Sequence, residues 1–197
     1  MILAKYDRAR FEEEVFNGIS ASTEQIHKVI DQLSEEQLNF KLNPEKWSVA
    51  ENIAHLVKST ASYKPGIENA LAKKKLRKGE TVVKLGFMGK LIAKSMEPSP
   101  TTKKMKTFRT FEPTQSHYEK QALKGDWQES QDYLLSIQER AKDLSYSKSK
   151  LSSPASGLIK LRLAGAMMTL MVHQKRHIQQ IEELLSNSDF PVTGVEK

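Results

Sequence analysis

The segment HQKRH places two imidazoles, His173 and His177, four residues apart. On a helix that spacing sets both side chains on one face about one turn apart, where together they can chelate one ion. Around them Ile159, Leu163, Met167, Leu170, Ile181 and Leu184 form one apolar stripe, and at 100° per residue the two histidines fall between Leu170 and Ile181 on the face that must point inward. Two bulky polar rings in an interior need partners. Buried hydrogen-bonding groups meet that need for a lone histidine; for a pair of neutral imidazoles a cation meets it more simply. Gln174 stands where the zinc-protease signature HExxH carries glutamate, so the general base of a zincin is missing.

Two histidines alone do not make a metal site, and His55 is the best candidate for a third ligand because it lies in the middle of another helical segment. Glu51, His55, Ser59, Ser62 and Gly66 run down one side of that segment, and after the histidine all are small. Small side chains leave room for a cavity or allow a close helix contact, and the pattern alone does not choose between them. Three neutral histidines leave coordination positions open, which is the arrangement of a catalytic rather than a structural metal. Zinc is the first choice, and nickel, iron and manganese also accept imidazole. Glu51, one turn before His55, is a candidate proton acceptor, although a helix-capping role also explains it. Gln180, three residues after His177, is a candidate for orienting a ligand or substrate. Trp47 is expected to pack at the entry to the His55 helix, and His27 and His117 are expected at the surface.

The elements that must carry these residues are helices. Phe11, Val15, Ile19, Ile26, Val29, Ile30 and Leu33 recur at three and four over a first helix. Ser48 and Glu51 form the S-x-x-E capping box that opens a second helix, with Pro65 expected to kink or divide it. Leu123, Trp127, Ser130, Leu134, Ile137, Ala141 and Leu144 mark a third, and the fourth is expected from about Leu158 to Leu185. Between the second and third helices lies a long connection rich in glycine and proline, in which LGFMGKLIAK allows one short helix. A connection of that length either carries function or crosses the molecule, so it is expected to pass near the open face of a metal site. No segment reads as a strand, and the tail SNSDFPVTGVEK is expected to fray. Four long helices and one long crossover give an all-α fold, a four-helix bundle, in one domain spanning residues 1–197.

The absence of cysteine excludes a disulfide framework, thiolate metal ligands and a cysteine nucleophile. No stretch is apolar for long enough to span a membrane, and the opening MILAKYDRAR reaches charge too early for a signal peptide, so a cytoplasmic protein is expected. The net charge of +7 is concentrated: from Lys73 to Arg109 twelve basic residues face only Glu80 and Glu97. That arc, including Lys103, Lys104 and Lys106, is expected to be a solvated face. Its functional alternative is a non-catalytic binding protein whose 73–109 segment meets nucleic acid or another anionic partner, for which Phe87 and Phe108 are the only rings available.

The stretch PEKWSVAENIAHL, a long crossover ending in TFEP, and HQKRHIQQI late in the last helix resemble the DinB-like superfamily, also called DinB and YfiT-like metalloenzymes. The resemblance covers about residues 11–186. It implies an up-down-down-up bundle in which one histidine of the second helix and two of the fourth, here His55, His173 and His177, bind a divalent metal. It further implies a metal-dependent hydrolase or an S-transferase using a low-molecular-weight thiol such as bacillithiol, mycothiol or glutathione. A small-molecule substrate is therefore the expected partner, a homodimer is left open, and nucleic acid is not expected.

Overall fold

The computed structural model describes residues 1–98 and 107–191, so Lys103, Lys104 and Lys106 lie outside the described residues. The chain is mostly helical with two small sheets. In order the elements are β1 (Lys5–Asp7), α1 (Arg8–Gln32), α2 (Glu35–Asn39), α3 (Val49–Ala72), β2 (Val82–Lys84) and α4 (Phe87–Met96). A 3-10 turn (Arg109–Phe111), α5 (Lys120–Arg140), β3 (Lys150–Ser153), β4 (Ser156–Arg162) and α6 (Leu163–Leu185) complete it.

Local chemistry sets several helix ends. The Asp7 carboxylate accepts from the Ala9 and Arg10 N–H groups at the start of α1, and capping boxes open α2 (Ser34 with Gln37) and α3 (Ser48 with Glu51). Helix α3 runs unbroken through Pro65, which does not divide it, because Tyr63, Ile67 and Ala70 on either side are held in the core.

The strands correct the all-helical expectation. β1 pairs antiparallel with β2 (Tyr6 opposite Val83), and β3 with β4 (Leu151 opposite Leu161). β1, β2 and β3 are three or four residues long, too short for their alternation to read as strands in the sequence, and β1 and β2 meet only because the fold brings distant segments together. The β3–β4 hairpin takes residues assigned to the fourth helix, so α6 begins at Leu163 rather than near Leu158. No side chain caps it. Its Leu163 and Ala164 N–H groups instead donate to the Ser149 and Tyr146 carbonyls, 2.8 and 3.1 Å away, a signal no local motif carries. The described part of the tail, residues 186–191, is anchored rather than frayed, because Phe190 packs edge-on to Phe40 at 5.7 Å and Gln37 donates to the Pro191 carbonyl; the rest of SNSDFPVTGVEK lies outside the described residues.

The long helices pair along their lengths. His27 meets Gln128 and Asp31 meets Lys124 between α1 and α5, which makes them antiparallel. Gly18 packs on Met171 and Gln25 bonds Glu182 between α1 and α6, which makes them parallel. α3 and α6 are antiparallel through His55 with His173 and Asn52 with His177, while Tyr133 and Arg140 of α5 both reach Glu68 of α3. The crossover is not structureless: β2 and α4 lie in it, and Glu80 accepts from Ser145 Oγ and the Tyr146 N–H.

The core is split. One apolar cluster holds Phe11, Ile19, Tyr63, Ile67, Leu134 and Met171; another holds Ile26, Ile30, Ile53, Leu56, Trp127 and Ile181. Between them, at the same level on all four long helices, lie the buried polar residues Ser22, Ser59, Thr60, Ser130, Gln131 and Gln174. Gln174 Nε2 donates to Gln131 Oε1 at 2.9 Å within this layer. Such a layer forgoes apolar burial, and the three histidines adjoin it.

Candidate metal centre

α3 supplies His55 and α6 supplies His173 and His177, one turn apart, so two helices set the three rings around one point. His55 Nε2 lies 3.1 Å from His173 Nε2, which lies 3.0 Å from His177 Nε2, and the nitrogens available to an ion are all within 4.8 Å of one another. Three nitrogens at about 2.1 Å from one tetrahedral ion stand about 3.4 Å apart, so small ring movements suffice to admit zinc.

The outer nitrogens fix the tautomers. His55 Nδ1–H donates to the Phe111 carbonyl at 2.7 Å, and His177 Nδ1–H donates to Asn52 Oδ1 at 2.8 Å. Asn52 is oriented by its own Nδ2, which donates to the Ser48 carbonyl at 2.8 Å. Both Nε2 atoms are thereby left as bare acceptors. They face His173 Nε2, which carries at most one proton and cannot satisfy both. A cation at the centre satisfies all three lone pairs at once, so the donor set fits a metal better than it fits itself.

Burial reinforces this. His55 and His177 are 3% and 6% exposed, while His173 is half-buried and borders the cavity. Loss of solvent pushes the His173 imidazole down to about 3, assisted by its neighbour His55 and by Arg176. His177 is driven well below its usual range by burial and by its histidine neighbours, and His55 is lowered by burial despite the Phe111 hydrogen bond. The rings are neutral at physiological pH, the form in which an imidazole can accept a metal.

The cavity at the site measures about 950 Å3 and is lined in part by the end of the crossover, including Phe108 and Phe111, as a chain passing the open face requires. Trp47 stands at the entry to α3, where expected, and also covers the ligands: its ring centroid is 4.8 Å from that of His55 and 6.0 Å, nearly parallel, from that of His177. Glu51 is buried, with Oε2 accepting from the Ser48 N–H at 2.8 Å and Oε1 from Lys41 Nζ at 3.0 Å. Gln180 lines the cavity half-buried. His117 is exposed and paired with Glu35; His27 is only half-buried and bonds Gln128, and neither joins the cluster. Sequence reasoning missed Asn52 and the Phe111 carbonyl. Asn52 lay three residues before His55 without a periodic signal, and a carbonyl has no sequence signal beyond its place in TFEP.

The structure is that of a mostly helical protein in which three neutral histidines, grouped closely enough to hold a metal ion, converge beside a cavity. The chain belongs to the DinB superfamily, whose family model matches residues 19–181. No curated protein and no solved structure matches it.

Proposed function

We propose that His55, His173 and His177 hold a divalent cation, zinc before nickel, iron or manganese, and that the chain is a metal-dependent enzyme of the thiol S-transferase or hydrolase kind. The observation that carries this is the pair of outer hydrogen bonds that His55 and His177 donate to the Phe111 carbonyl and Asn52 Oδ1, which aim two bare Nε2 atoms at a third. A divalent ion there supplies Lewis acidity, favouring the deprotonated form of a water or thiol ligand. The protein's own groups do the rest. Trp47 shields two of the rings from water, and half-buried His173 leaves the approach open from the cavity. Gln180 is placed in this reading to orient a substrate. Glu51 anchors the turn that carries Asn52 and His55, and acting as proton acceptor would require it to give up the Ser48 N–H or Lys41.

The same reading takes residues 1–197 as one domain, a four-helix bundle of α1, α3, α5 and α6. Antiparallel α1 and α5, parallel α1 and α6, and antiparallel α3 and α6 support the order up-down-down-up.

Elemental analysis of untagged protein tests the metal, with nucleic-acid absorbance read before and after a high-salt wash. About one divalent ion per chain, lost in His173→Ala with helicity retained, is the expected result. Protein without metal that carries salt-releasable nucleic acid would instead favour binding through the 73–109 segment.

A further inference from the structure

From the histidines the cavity continues along α3 and α6 toward the β3–β4 hairpin. Ser59 and Tyr63 follow His55 at four and eight residues on α3, and Thr169 precedes His173 by four on α6. All three are buried and line the cavity. α4 runs beside α6 over this stretch, with Gly89 against Gly165 and Arg176 donating to the Ser95 carbonyl, and it contributes Met88 and Ile92 to the wall. Ile159 of β4 adds a third apolar side chain.

Charge is distributed unevenly around the cavity. Glu51 precedes His55, Arg176 and Glu183 follow His173, and Glu45, Lys46 and Glu112 are exposed at the rim. None of the described charged side chains falls in the arm between the histidines and Tyr63. Eight residues of helix give that arm a length of about 12 Å.

Ser59 is the exception within it. Its residue is 3% exposed, and its hydroxyl is buried with no hydrogen-bond partner. Helical serines and threonines commonly return the hydroxyl to the carbonyl four residues back, as Ser62 does to Lys58 and Thr169 to Gly165. Tyr63 interacts with Ser153. The Ser59 hydroxyl alone is left to a ligand, and a buried polar group without a partner is costly.

We infer that this arm binds an uncharged chain of the substrate, and that Ser59 hydrogen-bonds an oxygen on that chain about one helical turn from the histidines. The inference rests on the metal reading only for the anchoring of the reacting end. The substrate class is thus an elongated, neutral, largely apolar molecule with one oxygen function near its reactive head. Ionised groups belong to a second reactant or segment at the charged rim.

Straight-chain hydroxamates of two to twelve carbons, titrated calorimetrically onto zinc-loaded and metal-free protein, test this. Affinity should rise about fourfold per methylene in both forms, then level off at about ten carbons, because an extended chain with C–C bonds of about 1.5 Å advances only about 1.3 Å per bond along an arm of about 12 Å. Zinc should add one common factor to the whole series. In Ser59→Ala, 4-oxooctanohydroxamate should weaken at least fivefold while octanohydroxamate changes less than twofold. A chain-length series that is flat in both forms overturns the arm. An equal response of the two ligands to Ser59→Ala overturns the role of the hydroxyl, as it would if that group served only a water. If zinc adds nothing but the chain-length slope persists, the metal reading fails and the arm stands.

Discussion

Asn52 near the start of α3 holds His177 in the middle of α6: Oδ1 and Nδ1 are 2.8 Å apart, and the Asn52 amide is itself turned by the carbonyl of the capping residue Ser48. The capping turn of one helix therefore sets the tautomer of a histidine on another. Replacing Asn52 with Ala should weaken zinc binding roughly 10- to 100-fold, the usual effect of removing an orienting partner of a ligating histidine. Competition against a chelator of known affinity measures this, with far-ultraviolet dichroism as the check on folding. Affinity within threefold of wild type would mean that the Asn52 contact is incidental.

The depressed imidazoles make a prediction about protons. Three histidines of ordinary pKa would release about 2.3 protons on binding an ion at pH 6.0. Here His173 and His177 are already neutral at that pH, so the release should fall well below one proton from that pair, measured by calorimetry in buffers of different ionisation enthalpy.

The same shifts fix the pH dependence of the metal-free protein. Below about pH 6.5 the unfolded chain binds protons that the folded site refuses, so stability present above that value is lost as the pH falls toward the folded pKa, about 3 for His173. Both deeply shifted histidines should therefore make the metal-free protein less stable at pH 5.5 than at neutral pH, by on the order of 1 kcal/mol. Urea unfolding at pH 7.5 and 5.5 reads it, and His177→Ala should show a smaller difference between the two. An identical difference would show that His177 is not kept neutral by the fold.

Trp47 should report on the site. The chain has two tryptophans; Trp47 lies on two of the rings, whereas Trp127 is fully buried and belongs to the apolar cluster. Nickel or cobalt should quench part of the tryptophan emission in a saturable titration, and Trp47→Phe should remove that response while leaving the Trp127 emission. Quenching that survives the substitution would place the ion elsewhere.

The wall formed by α4 depends on a backbone contact. A Cβ at Gly89 would lie 2.7 Å from the Gly165 Cα, an atom that cannot swing away. Gly89→Ala should destabilise the protein by about 1–3 kcal/mol and loosen α4 from α6. Denaturant unfolding measures the first, and faster amide exchange in residues 87–96 the second. Unchanged exchange would show that α4 does not depend on this contact.

What the sequence by itself determined is local and periodic. Apolar residues at three and four gave four long helices, Ser48 with Glu51 placed the start of α3, and the spacing of His173 and His177 put both on one inward face. His55 does converge on them, but not for the expected reason: it lies in the second turn of α3 rather than mid-helix, and that turn meets the middle of antiparallel α6. The stripe after His55 held two readings, and the structure divides it: Ser59 lines the cavity, while Gly66 allows close approach of Leu151 in β3. Only the tertiary structure decided the rest. The strands, the late start of α6, the Phe111 carbonyl on His55, the Trp47 ring over two ligands and the polar layer across four helices all join residues far apart in the chain. Such contacts impose no period on either segment, because each partner is chosen by packing rather than by its neighbours in sequence.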